Sequence, residues 1–146
     1  RHIPEFEQNL NQAVGADPVE GPVRISFTPT LVPMSRGILA TVTAPLGDDI
    51  DPRTAGERVA EAYADAYADE PFVQVLSPGR WPATASTLGS NVAQLQYAVD
   101  ERSSTLTTVI ALDNLARGTA GQAIQSARIA LGLPEGLGLP RQGLAP

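Results

Sequence analysis

The sequence contains no cysteine. Disulfides, thiolate metal sites and a cysteine nucleophile are therefore excluded within these residues. It holds one histidine, too few to build a zinc site without cysteines, and no metal site is expected. Basic residues number 10 against 16 acidic, giving a formal charge of −6. That leaves no basic footprint for nucleic acid. No apolar run approaches the ~18 residues that cross a bilayer, so no membrane partner and a soluble chain are the expectations. No glycine-rich dinucleotide loop follows a strand, and no phosphate-binding P-loop is present.

What is present is enough for one domain: 146 residues, 42% of them hydrophobic. Because the chain starts at Arg1 without Met, it is expected to be a fragment or excised domain. Pro4 with Glu5 and Glu7 behind it opens a short helix, ending between Asn11 and Gly15, with Ile3, Phe6 and Leu10 on one side. Val23, Ile25 and Phe27 alternate with polar residues as in a strand, which Pro29 and Pro33 confine to an edge or bend. A second strand, Ile38 to Ala44, follows Met34-Ser35-Arg36-Gly37, which implies a hairpin or sharp corner with Arg36 exposed at its tip.

Asp51-Pro52 caps a helix to about Glu70, with Ala55, Val59, Ala62, Tyr63, Ala66 and Tyr67 as its apolar stripe. Its charged opposite face reads as solvated. Phe72 to Leu76 is a short strand. The loop from Ser77 to Thr84 holds Trp81, which is expected to anchor it on the core, with a ligand role as the lesser alternative. Val92–Val99 and Leu106–Leu112 form a hairpin about Asp100–Ser104, with uncharged polar faces suited to a half-wet subunit contact or to bulk solvent. After Gly118, Thr119 reads as the N-cap of a helix to Leu131, whose free N–H groups would make an anion site. The leucines of the Gly/Pro-rich tail beyond Leu133 imply docking on something. Runs of strand pairs, without βαβ alternation, give an α+β fold: a mostly antiparallel sheet with helices packed on one face.

Four features could carry chemistry. His2 titrates near neutrality and could serve as general acid or base, or be an inert terminal residue. Glu5 could orient that imidazole or merely complement the helix dipole. Arg36 could fork onto a phosphate or carboxylate, or be a solvated turn residue. The Gly118-Thr119 helix start could hold an anion, pack under a cofactor, or only cap a helix.

Arg1-His2-Ile3-Pro4-Glu5, then Thr28-Pro29 through Pro33-Met34-Ser35-Arg36-Gly37-Ile38, then Asp113-Asn114-Leu115-Ala116-Arg117-Gly118-Thr119-Ala120-Gly121-Gln122, in this order and spacing, resemble the N-acetyl-gamma-glutamyl-phosphate reductases of arginine biosynthesis. The match covers essentially the whole chain but only the C-terminal part of those enzymes. Aspartate-semialdehyde dehydrogenases share the last motif, though they typically continue with Ala-Ala where this chain has Thr119-Ala120.

The resemblance implies a glyceraldehyde-3-phosphate dehydrogenase-like C-terminal domain. Residues 1–114 would form a catalytic and dimerisation domain, and 115–146 a C-terminal helix and tail packing at an NADP-binding Rossmann domain outside this chain. It implies a cytoplasmic homo-oligomer, associating through its sheet, that reduces an acyl phosphate with NADPH through a cysteine thioester. His2 would be the catalytic base. Glu5, Ser35 and Arg36 would bind substrate, and Asn114, Gly118 and Thr119 would line the cofactor. The cysteine and the Rossmann domain are missing here, so this chain by itself is expected to be inactive. A portion of an aspartate-semialdehyde dehydrogenase and a non-catalytic oligomerisation or scaffold domain are the alternatives.

Overall fold

The computed structural model describes residues 2–144, which fall into two compact units divided between Pro33 and Met34. In the first, helix α1 spans Ile3–Ala13, with Pro near its start and Gly15 at φ +71° just past its end. Residues 23–26 keep the alternation, with Val23 and Ile25 half-buried and Arg24 and Ser26 exposed, but Phe27 is exposed and no strand forms. The backbone donors explain this correction. Val23 N–H donates to Asn11 Oδ1 at 2.9 Å and Ile25 N–H to Glu7 Oε1 at 3.0 Å, so α1 side chains replace a partner strand. Phe27 then sets its ring edge-on to Phe6 at 5.3 Å.

The second unit is built on a four-stranded sheet ordered β1-β4-β3-β2, comprising β1 (Ile38–Pro45), β2 (Val73–Val75), β3 (Ala93–Asp100) and β4 (Thr105–Leu112). The β3–β4 hairpin pairs Asp100 with Thr105 and Ala93 with Leu112. β1 is antiparallel to the other side of β4, with Ile38 opposite Leu112. β2 alone runs parallel, Val73 beside Ala93, because the connection through α3 (Thr84–Thr87) carries the chain back across the sheet end. The sheet is thus mixed, mostly antiparallel, within an α+β fold. Among the described residues β1 pairs with β4 alone, at one end of the strand order.

Helix α2 (Pro52–Ala66) starts at Asp51, whose side chain accepts from Arg53 N–H. It is shorter than expected and its inward line narrower: Ala55, Val59, Tyr63 and then Tyr67 turn in, whereas Ala62 and Ala66 stay exposed. Tyr63 packs edge-on against Tyr97 at 5.3 Å and its hydroxyl meets Thr108 Oγ1 at 2.9 Å. Since Tyr97 and Thr108 are register partners, α2 covers their face of the sheet. On the opposite face the β1 residues Leu39 (51% exposed), Thr41 and Thr43 stay open, whereas Gln96 and Ala111 are buried.

The core is small: Phe72, Val92 and Leu139 cluster together, and Ala55, Leu95 and Ala111 are buried elsewhere. Leu139 shows that the tail does dock, helped by Asn91 N–H donating to Pro140 O at 2.8 Å, while Leu133 and Leu137 remain about half exposed. Trp81 departs from expectation. It is 50% exposed and lines a cleft of about 340 Å³ with Arg80, Gln94 and Arg141 rather than anchoring in the core. Among the described residues no helix is long and apolar enough to cross a membrane.

The last helix begins differently from the sequence reading. A π-helix spans Ala116–Gly121 and α4 follows from Gln122–Ala130, so Thr119 lies inside a turn and is not an N-cap. The coil starts earlier because Asp113 supplies the cap. The wide ring is visible in Gly118 N–H donating to Asp113 O and Ala120 N–H to Leu115 O, both at 3.0 Å and five residues back. The free N–H groups expected at Thr119 are thus drawn into the coil, and the anion site built on them is not there.

Candidate substrate and cofactor wall

The expected site residues fall on both units. His2 precedes α1 as its N-cap residue, offers no side-chain cap, and sets its ring 6.4 Å from that of Phe6. Glu5, in the first turn, is exposed and makes no hydrogen bond to His2. The structure therefore places both side chains in solvent without pairing them.

On the second unit the expected residues converge. Arg36 and Gly37 lie at the start of β1, Asp113 and Asn114 at the end of β4, and the pairing of Ile38 with Leu112 brings those ends together. Gly37 N–H donates to Asn114 Oδ1 at 2.7 Å. Gly37 has φ +104°, and a Cβ there would stand 2.8 Å from Thr84 Cβ, so only glycine passes this point without strain. Arg36 is not a free tip. Its Nε–H donates to Asp113 Oδ1 at 3.0 Å and lies 2.9 Å from Oδ2. Ser35 beside it is exposed.

Asp113 is the residue that sequence reasoning missed. Its side chain is 0% exposed, against 34% for Arg36. Leu115 and Ala116 N–H groups donate to Oδ1 at 2.8 Å, and Gly89 N–H donates to Oδ2 at 2.6 Å. Burial alone pushes this carboxyl upward. The Ala116 and Gly89 N–H groups, the Arg36 guanidinium and the Leu115 N–H outweigh it and hold the group at about 2. The signal available in the sequence was an Asp two and three residues before coil N–H groups, an N-cap position in its own right.

Asn114, Gly118 and Thr119 lie together on this coil. Thr119 Oγ1 donates to Asn114 O at 3.2 Å, and Gly118 and Thr119 are exposed. A Cβ on Gly118 would find nothing closer than 3.7 Å, so the surface beside it is open. The Asn114 amide nitrogen has no protein partner among the described residues. A small-residue surface with an unspent amide donor suits a flat polar ring. Gly121, next along, is closed: a Cβ there would come within 2.0 Å of Asn91 Oδ1. No group of His, Asp and Glu that could hold a metal occurs among the described residues.

The corner thus presents a guanidinium beside an open, glycine-bearing coil. The family model for the semialdehyde dehydrogenase dimerisation domain matches residues 1–114, and the chain belongs to that family. Its curated relatives include N-acetyl-gamma-glutamyl-phosphate reductases from Micrococcus luteus, Thermobifida fusca and Saccharopolyspora erythraea, at 58%, 55% and 53% identity. Each alignment covers 100% of this chain and 40% of the relative, so the chain spans less than half the length of the proteins it matches.

Proposed function

We propose that the chain is the C-terminal catalytic and dimerisation portion of a cytoplasmic N-acetyl-gamma-glutamyl-phosphate reductase. The whole protein converts N-acetyl-glutamyl 5-phosphate to the 5-semialdehyde in arginine biosynthesis. The observation that carries the reading is the double latch of Arg36 to Asp113 and Gly37 to Asn114. It joins two motifs 77 residues apart, one suited to an anionic substrate and one to a flat cofactor. Residues 1–114 form the catalytic and dimerisation part, and 115–146 the helix and tail that meet a Rossmann domain.

On this reading the nucleophilic cysteine lies outside these 146 residues, which contain none. NADPH supplies the hydride. Asn114, whose amide nitrogen has no partner among the described residues, and the open surface of Gly118 and Thr119 would hold the nicotinamide end. Arg36, with Ser35 beside it, binds an anionic group of the acyl phosphate through the guanidinium fork. His2, exposed at the head of α1, takes the thiol proton and returns it as the general acid–base pair of the thioester route, and Glu5 one turn on contributes to substrate binding. The exposed β1 part of the sheet, with Leu39, Thr41 and Thr43, forms the contact between copies in a homo-oligomer.

In the full-length protein, His2→Asn is expected to lower kcat/KM for N-acetyl-glutamyl 5-phosphate by roughly a hundredfold or more. A rate within threefold of the parent overturns the assignment. An oligomer of full-length protein that neither binds NADPH nor reduces the acyl phosphate would instead establish the scaffold role.

A further inference from the structure

We propose that Asp113 is a positioning residue for substrate binding, clamping Arg36 by its Nε edge so that only the edge formed by the two terminal amino groups is left for an anionic group of the substrate. The inference rests on the role given to Arg36 above. A guanidinium has five N–H donors in one plane, and a carboxylate or phosphoryl group takes two parallel ones from a single edge. The Nε–H of Arg36 is spent on Asp113, and its terminal nitrogens have no protein partner among the described residues.

The clamp is itself fixed. Asp113 cannot follow Arg36 outward, because N–H groups from two separate segments, Gly89 on one and Leu115 and Ala116 on the other, hold both carboxylate oxygens. Arg36 is therefore tethered through its Nε to a buried carboxylate, while its side chain as a whole stays 34% exposed. The same carboxylate caps the coil that carries Asn114, Gly118 and Thr119, so the guanidinium and the proposed cofactor wall share one anchor. Lysine could not replace Arg36, since one ammonium either pairs with Asp113 or reaches the substrate.

The test is steady-state kinetics of the full-length enzyme with N-acetyl-glutamyl 5-phosphate and NADPH, comparing Arg36→Ala, Arg36→Lys, Asp113→Asn and the double variant Arg36→Ala/Asp113→Asn. Arg36→Ala is expected to raise KM for the acyl phosphate about tenfold or more, and Asp113→Asn to raise it similarly with kcat within about threefold. The double variant should go no more than about twofold beyond Arg36→Ala, because the two residues act through one contact. Multiplying effects, on the order of a hundredfold together, would reduce Asp113 to a purely structural residue. An unchanged KM in Arg36→Ala removes Arg36 from the site and the inference with it. A raised KM in Arg36→Ala with none in Asp113→Asn sinks the inference and spares the role of Arg36. Should Asp113→Asn fail to fold, Arg36→Lys decides: a KM close to that of Arg36→Ala supports the clamp, and one within about twofold of the parent overturns it.

Discussion

Asp51 and Asp113 both open a helix, both accept from backbone N–H groups two or three residues on, and both have carboxyls held at about 2. Their surroundings are opposite. Asp51 is exposed, and its partner is its near neighbour Arg53, first through the guanidinium and then through the N–H. Asp113 is sealed from solvent and gathers donors from residues 24 and 77 positions away. One carboxylate starts a helix; the other also fastens a sheet end, a turn and an arginine.

The sharpest way to break that comparison is Asp113→Asn against Asp51→Asn, measured by urea unfolding of the full-length protein. Loss of a buried charge that satisfies four donors is expected to cost on the order of 3 kcal/mol. Asp51→Asn keeps an oxygen that can still cap α2 in open solvent, and its effect should be far smaller. Equal losses would erase the distinction between the two sites.

Acid separates them next. The carboxyl of Asp113 is lowered in the folded state, so its contribution is complete above the unfolded value near pH 4 and is lost as pH falls through about 2. The amount is on the order of 2 kcal/mol. Stability of the parent should therefore decline across that window more steeply than that of Asp113→Asn, in unfolding curves recorded from pH 5 to about pH 2. If the Asp113→Asn slope matches the parent's, the network does not protect the charge.

Glycines behind each Asp give effects of opposite sign. A Cβ on Gly121 would collide with Asn91 Oδ1 and Ala116 O, and Gly121→Ala should destabilise by about 2 kcal/mol. Gly56 in α2 has nothing within 4 Å of such a Cβ, and Gly56→Ala should stabilise by up to ~1 kcal/mol. Differential scanning calorimetry reads both, and a shared sign would show that the two helix starts are packed alike.

The same contrast explains how much was legible in the sequence. α1, α2, the β3–β4 hairpin and β1 follow from neighbours a few positions apart: Pro4, Asp51-Pro52, and alternation on both sides of Asp100–Ser104. What depended on distant partners was misread. Val23–Phe27 has strand periodicity, yet its donors go to Glu7 and Asn11. Thr119 looked like a cap because Gly118 precedes it, whereas the true cap is Asp113, whose importance comes from Arg36 and Gly89. For the site, the motifs named Arg36 and Asn114, but that they are latched into one corner by Asp113 is a fact of β1 pairing with β4.

That pairing sets an order of assembly. The β3–β4 hairpin closes a short turn and can form early, in microseconds, as a template. β1 must then find β4 across a long stretch of intervening chain, a closure of large sequence separation that slows folding. The corner holding Arg36 therefore cannot exist until β1 has paired with β4, and the arginine fork depends on the more distant of the sheet's two antiparallel closures.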